Sequence, residues 1–400
     1  MLKVQFNIYA FIGFIIISWS CHTKASAPQI PAFTFTVEQA PEWSDLFKRY
    51  RGWFGGDGIF CATMSGNEQQ GSASKDSTLI WFSDSMIGEI INDSLQPGFS
   101  MINNSIAVLA GGKPDSNAIH FFWNKAEKNK DSAASIVTPQ TPATEKGEYY
   151  WLGDGFVNTE MNNELFIFGY RIKNIPEQAV LGFKQTGTTL IHIPAGEKKS
   201  FLYTEQTDVP FLQSNNIDSS GTFGAAVLVN TTKAGAPNAD GYVYIYGIRG
   251  KNKEVIAARV KAEAVEQFDQ WMFWNGSKWT SDINSIKPIA DHASNEFSIT
   301  AIEKARYVMV FQKDALSSVI ALRIGSSPVG PFGDIVDVYD TKADLKDSRN
   351  FISYNAKAHP VLSQPGELLI SYNINSFDYT NDIKKFPQFY RPRFIKLRYK

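Results

Sequence analysis

Tyr150-Trp151-Leu152-Gly153-Asp154-Gly155, followed by Leu165-Phe166-Ile167-Phe168, sets the reading of the whole chain. The first segment alternates and carries an acid between glycines, whereas the second is an unbroken apolar, aromatic run; each has the length and residue types of a strand. The same succession recurs. Apolar second strands are read at Leu79-Ile80-Trp81-Phe82, Tyr242-Val243-Tyr244-Ile245-Tyr246, Tyr307-Val308-Met309-Val310-Phe311 and Leu368-Leu369-Ile370-Ser371-Tyr372, and the strands opening each pair hold Asp57, Asp154, Ala225, Glu296 and His359 in comparable places. Five such pairs imply an all-β fold, a five-bladed β-propeller. Its innermost strands line a central channel, so these five positions should meet near the channel mouth. An open two-layer β sandwich is the competing architecture, and it gives no reason for acids to recur on equivalent strands.

The outer strands are less regular. Asn103 to Val108 and Ile119 to Trp123 complete the first unit, and Val255 to Val260 and Trp271 to Trp274 complete the third. The last unit has a third strand, Phe394 to Tyr399, and no residues left for a fourth. Phe33 to Val37 alternates correctly and is expected to supply it, closing the ring between the chain ends and covering a sheet edge. Ala126 to Gly147, dense in Lys, Ser, Thr and Pro, reads as a solvated loop, and Glu263 to Gln270 is the best short helical candidate.

Residues 1–21 read as a lipoprotein signal: Lys3, an apolar stretch from Ile8 to Trp19, and Ser18-Trp19-Ser20-Cys21 as the cleavage box, with Cys21 acylated. Residues 22–32 are the tether and 33–400 the single propeller domain. The expected address is the outer membrane, facing the periplasm or the cell surface, with membrane contact through the lipid alone. Cys61 is then the one thiol of the mature chain, which leaves no intramolecular disulfide. Stability must come from burial, and 43% hydrophobic and 14% aromatic residues supply it. A net charge of −1 gives no reason to expect nucleic acid as partner.

Three acidic motifs concentrate the chemistry: Gly55-Gly56-Asp57-Gly58, Gly153-Asp154-Gly155 and Asn295-Glu296-Phe297-Ser298. Glycine beside an acid lets backbone approach closely and leaves the carboxylate open to a ligand. The competing reading of Gly-Asp-Gly is a turn. Three acids at one channel mouth meet the requirement of glycoside hydrolysis, which needs one protonated and one ionised carboxyl group. Like charges and partial burial separate their pKa values. Asp84 either bonds a sugar hydroxyl or caps a turn, Asn104 bonds substrate or backbone, and His359 holds water or metal or buttresses an acid. Trp53 and Trp151 are the aromatic candidates for stacking on a sugar ring.

Trp53-Phe54-Gly55-Gly56-Asp57-Gly58, Leu79 to Gly88, Met101-Ile102-Asn103-Asn104-Ser105, Tyr150 to Gly155, Glu296-Phe297-Ser298, Ser327-Pro328-Val329-Gly330-Pro331-Phe332 and Ala358-His359-Pro360 occur in order from about residue 50 onward. This set resembles the secreted five-bladed propellers known as domains of unknown function 4185 and 5005. The resemblance implies a carbohydrate-active propeller, since some relatives are endo-acting arabinofuranosidases and the wider clan includes glycoside hydrolase family 43. It further implies Asp57 as base or nucleophile, Asp154 as an orienting or pKa-tuning acid, and Glu296 as general acid, with the roles open to permutation. The third unit departs from the pattern: Thr222-Phe223-Gly224-Ala225-Ala226 has no ionisable group.

Other chemistries fit less well. His22, His120, His192, His292 and His359 are scattered singly, with no two at zinc-ligand spacing. Cys61 has no histidine partner evident in the sequence, and no phosphate loop or dinucleotide fingerprint occurs. No cofactor is required, although a channel-bound cation such as calcium is compatible with the acids. The leading expectation is a hydrolase of an arabinan- or arabinogalactan-like or other plant or microbial glycan. The alternative is a non-catalytic glycan-binding propeller lipoprotein.

Overall fold

The computed structural model describes residues 33–126, 132–175, 182–212, 220–302, 306–345 and 350–400. The expected signal, Cys21 and tether, residues 1–32, lie outside them. Among the described residues no helix is long and apolar enough to cross a membrane.

The fold is all-β and is organised around five antiparallel sheets of four or five strands. The first joins Phe60–Thr63, Ser77–Phe82, Ser105–Ala110 and Ile119–Phe122; the second Tyr149–Asn158, Glu164–Asn174, Phe183–Ile193 and Glu205–Asp208. The third runs Gly221–Asn230, Tyr242–Arg249, Glu254–Lys261 and Met272–Trp274, with Trp279–Thr280 at its edge, and the fourth Phe297–Ile302, Arg306–Gln312, Val319–Gly325 and Val336–Asp340. The fifth takes Phe351–Ala358, Glu367–Ser376 and Arg393–Tyr399 from the C-terminal region and Phe35–Gln39 from the N-terminal region. Phe35 stands opposite Tyr399 and Gln39 opposite Ile395, so the expected end-to-end pairing forms, shifted two residues along. A further sheet of Arg51–Gly56 with Ser85–Ile91, Ser94–Leu95 and Ser100–Ile102 leads into the first.

The apolar second strands follow from packing. Leu165 to Tyr170 is buried at every position, as is Arg306–Gln312, because both faces of each strand are covered. Each hydrophobic cluster straddles two sheets: Trp81 and Ile106 meet Tyr150 and Ile167, Phe166 and Phe168 meet Phe223 and Ile245, Tyr246 and Ala257 meet Phe297 and Met309, and Ile80 and Phe82 meet Leu369 and Phe394. The first strands are therefore neighbours in chain order, 60–63 beside 149–158, then 221–230, 297–302 and 351–358. Cys61 of the first sheet touches His359 just beyond the first strand of the fifth, Sγ to Nδ1 3.4 Å.

Two expectations are corrected. Glu263 to Gln270 is not an α-helix but two short 3₁₀ turns, Ala262–Ala264 and Phe268–Gln270, because Val265 and Trp271 are pulled into the core and the Trp271 indole N–H donates to Val265 O at 3.0 Å. The segment from 126 to 147 is not a free loop where it is described. Ile136 and Val137 are buried, and Asn104 clamps Val137 through both its amide oxygen and nitrogen, at 3.0 and 2.9 Å.

Candidate active site

Backbone irregularities aim the candidate acids. In the second, third and fifth sheets the first strand slips register against its neighbour, between Leu152 and Gly155, Phe223 and Ala226, and Tyr354 and Lys357. Such bulges re-aim side chains next to functional sites. The extra residues are Gly153-Asp154, Gly224-Ala225 and Asn355-Ala356. Gly224 sits at φ +93°, where a Cβ would lie 2.3 Å from Phe168. The fifth sheet thus presents Asn355 and Ala356, not His359, at the position matching Asp154. Asp57 occupies the gap between Arg51–Gly56 and Phe60–Thr63, its N–H donating to Asp84 O at 3.1 Å while its own O accepts Ser83 N–H at 2.9 Å. That reciprocal link holds Asp57 and Asp84 side by side.

Each carboxyl group meets a different set of partners. Asp57 Oδ2 accepts the Tyr354 hydroxyl at 2.5 Å, and Oδ1 is buried with no hydrogen-bond partner. Asp84 Oδ1 accepts the Trp151 indole N–H at 2.9 Å and the Asn103 amide at 3.2 Å. Asp154 is fixed by backbone, Oδ1 accepting Gly155 N–H at 2.8 Å and Oδ2 accepting Val227 N–H at 2.7 Å. Glu296 accepts Asn355 at 2.8 Å on Oε1 and the ammonium of Lys357 on Oε2. Lys357 is itself buried and lies 4.1 Å from the centre of the Phe60 ring.

Burial raises the pKa of all four acids, and they act on one another. Asp84 is pushed up to about 7 by desolvation and then by the Asp57 charge, against its two hydrogen bonds. Asp154 is also pushed up to about 7 by desolvation, with Glu296 adding to the shift and two backbone N–H groups and Lys357 opposing it. Asp57 and Glu296 are raised by desolvation; tyrosine hydroxyls and then Lys357 oppose this for Asp57, and Lys357 for Glu296. Glu68, beside Asp154, reaches about 8 through burial and that neighbour's charge. Lys357 is the cation that acts on Asp57, Asp154 and Glu296. A cavity of ≈ 50 Å³ beside Asp154 and Glu68 is further lined by Phe60, Cys61, Ser298, Lys357 and His359; Asp57, Asp84 and Glu296 are not in its wall. It has room for about one or two waters and none for a larger ligand.

The structure therefore brings Asp57, Asp84, Asp154 and Glu296 into one electrostatic group and removes three other candidates from it. Trp53 is buried in the core, its ring stacked on Phe121 at 4.6 Å, and is no sugar platform. Asn104 is fully buried, bridging Val137 and the Tyr150 carbonyl. His359 is buried between Cys61 and Ser371 Oγ, 2.7 Å from Nε2, with its pKa depressed to about 3 by desolvation and Lys357; it is a neutral buttress. Trp151 is half-buried and orients Asp84. Sequence reasoning passed over Tyr354, Lys357 and Glu68. Tyr354 and Lys357 lie three residues apart, on opposite faces of a regular strand, and only the bulge between them lets both serve the site, so no sequence pattern marks them.

Comparison with solved structures gives the same fold. A candidate hydrolase from Bacteroides ovatus ATCC 8483 superposes with a TM-score of 0.69 at 19% identity, covering 94% of this chain and 97% of that one. A candidate exo-β-1,3-galactanase from Bifidobacterium bifidum (TM-score 0.45, 9% identity, 87% and 92% covered) and an α-L-arabinofuranosidase of glycoside hydrolase family 43 from Clostridium thermocellum (0.41, 13%, 84% and 87%) are similar at a looser level that bears on neither substrate nor mechanism. No curated protein matches the sequence. A family profile does match, over residues 41–399, and the chain belongs to that family, described as Domain of unknown function (DUF5005).

Proposed function

We propose that the protein is a five-bladed, end-closed β-propeller glycoside hydrolase acting on an arabinan- or arabinogalactan-like glycan. The observation that carries the reading is the excess of acid over base at one spot: of four buried carboxyl groups the ammonium of Lys357 acts on three, Asp57, Asp154 and Glu296, and Asp84 and Asp154 are pushed up to about 7. An ion-pair network built for stability would balance its charges. Here the excess is tolerable only if some acids keep protons near neutral pH, which is the state that proton transfer to a leaving oxygen requires.

The four acids form two pairs, Asp57 with Asp84 and Asp154 with Glu296. In the second pair Lys357 and Asn355 favour the charged form of Glu296 against its burial, and Asp154, pushed up to about 7, is the member assigned the proton. Asp154 is then the donor to the leaving oxygen and Glu296 the tuning carboxylate, a permutation of the roles expected from the sequence. Asp57 acts as base or nucleophile through Oδ1, with Tyr354 fixing its other oxygen and Asp84 holding the shared proton of that pair. Trp151 stands beside Asp84 as the aromatic wall for a sugar.

Glycosides of differing leaving-group acidity test the assignment. Asp154→Asn should lose at least about 100-fold on a polysaccharide yet retain turnover of an aryl glycoside whose leaving group needs no proton, whereas Asp57→Asn should lose both. Equal losses on both substrates for both variants would overturn the roles. One observation favours a glycan-binding lectin instead: the oxygens of Asp154 and Glu296 already have protein donors. Glycan affinity without product would support that reading. An anchor at Cys21, in the outer membrane, would place either activity at the envelope; release of the protein from membranes by Cys21→Ser tests it.

A further inference from the structure

Away from the channel, the ladder of the second sheet lines up a second group of ionisable side chains. Phe166, His192 and Glu205 stand directly opposite one another on three successive strands, and Glu164 lies two residues from Phe166 on the same face. The His192 ring stacks on Phe166 with centroids 4.5 Å apart, and its side chain is only 12% exposed. Its Nε2 lies 2.9 Å from Glu164 Oε2, a contact that places the imidazole proton on Nε2. Nδ1 is then left buried without a hydrogen-bond partner, yet it faces Glu266 Oε1 at 3.3 Å and Glu205 Oε2 at 4.0 Å. Tyr203 donates to the other oxygen of Glu205 at 3.1 Å.

Glu266 arrives from the third sheet on a segment pinned from both sides. The Asn158 amide donates to Ala262 O at 2.7 Å, and the Trp271 indole N–H donates to Val265 O at 3.0 Å. A bare imidazole lone pair facing two carboxylates is repulsive unless a proton or a metal cation sits between them, and with Glu164 three carboxylates surround the one ring, a charge that a divalent ion balances better than a proton. The three ligand atoms lie within 4.8 Å of one another, and tetrahedral zinc with bonds of about 2.0–2.1 Å places its ligand atoms about 3.3 Å apart. Closing the remaining gap needs rotation only of Glu205, whose side chain is exposed.

From this geometry we propose that His192, Glu205 and Glu266 bind a divalent first-row transition ion, zinc foremost, with water completing the shell. Glu164 serves as the carboxylate that fixes the histidine tautomer. One imidazole and two carboxylates suit zinc rather than calcium or magnesium, which favour all-oxygen shells. The ion would tie the second sheet to the third, a cross-link independent of any chemistry in the channel.

The test is calorimetric titration of the chelator-treated full chain with zinc chloride, alongside Co²⁺ absorption spectroscopy. One site per chain is expected, with a cobalt d–d spectrum of low coordination number. His192→Ala and Glu266→Gln should weaken zinc binding at least about 10-fold, and Glu164→Gln by about 10- to 100-fold as a supporting carboxylate. Glu205→Gln, at an exposed position that folding does not depend on, should also weaken it. No saturable binding, or binding unaltered by Glu205→Gln and His192→Ala, would overturn the proposal. So would an NMR titration showing His192 protonated at both nitrogens at neutral pH with zinc in excess.

Discussion

Replacing Lys357 by methionine removes a charge while keeping most of the side chain's length, and the structure sets the size of the effect. The ammonium is buried, is in contact with Glu296, and lowers the pKa of Asp57 and Asp154 as well. Two unit charges about 3 Å apart attract by about 5 kcal/mol at an effective dielectric constant of about 20. Measured losses on breaking buried pairs are about 3–5 kcal/mol. At pH 8, where Glu296 must either ionise without its partner or keep a proton that the unfolded chain has shed, Lys357→Met should therefore cost about 4 kcal/mol. For a domain of this size that is about 5 °C in Tm.

The pH dependence follows in sign. A carboxyl group with a raised folded-state pKa keeps a proton that the unfolded chain has lost, so stability falls as pH rises from the unfolded value towards the folded one. Without Lys357 the pKa values of Glu296, Asp57 and Asp154 rise further, and the fall becomes steeper. Towards acid pH, as the unfolded chain's carboxylates take up protons too, that cost should shrink. Adding Glu296→Gln should restore most of the loss at pH 8, because the unpaired charge is gone. Thermal melts of the four proteins of this cycle between pH 5 and 8 measure both effects. A loss independent of pH, or one left intact by Glu296→Gln, would refute the electrostatic account of the site.

Two further variants probe neighbouring features. Glu68, pushed up from 4.5 to about 8 by burial and Asp154, destabilises the folded protein once it ionises; Glu68→Gln should raise Tm at pH 9, by at most roughly 5 kcal/mol of stability, and the gain should vanish below pH 5. Parallel Tm–pH curves for variant and parent would contradict this. Asn104→Ala deletes three buried hydrogen bonds and should cost about 2–4 kcal/mol in denaturant unfolding while leaving glycan turnover per folded molecule unchanged. A selective loss of turnover would return Asn104 to the substrate site.

The strands were legible because their pattern is local. A run such as Leu165 to Phe168 must be covered on both faces, and Phe394 to Tyr399 without a following strand leaves an edge that the alternating N-terminal segment fits. Asp57 and Asp154 were legible through their glycines, which mark the break and the bulge that aim them, whereas Glu296 has no such neighbour and stood out only by its place before an apolar strand. Misreadings arose where those same irregularities change the face of the strand. Trp53 lies four residues before Asp57, but the register slip between Trp53 and Gly55 sends the indole into the core and the carboxyl group towards Tyr354. His359 was matched to Asp154 by spacing alone, whereas the bulge at Asn355-Ala356 shows that the true counterpart lies earlier. Lys357 and Tyr354 were passed over because their meaning depends on partners about three hundred residues away or on the adjoining sheet, brought close only when the last sheet meets the first.

The central claim, that these carboxyl groups break glycosidic bonds, is met most directly by incubating the purified protein and its Asp57→Asn variant with arabinans, arabinogalactans, galactans, xylans and host glycans and analysing released oligosaccharides. The account predicts release from at least one arabinose- or galactose-containing polysaccharide, lost at least about 1,000-fold in Asp57→Asn while affinity for the same polysaccharide in gel retardation stays within several-fold. Release that Asp57→Asn leaves intact, or no release from any polysaccharide that the protein nonetheless retains, would contradict it.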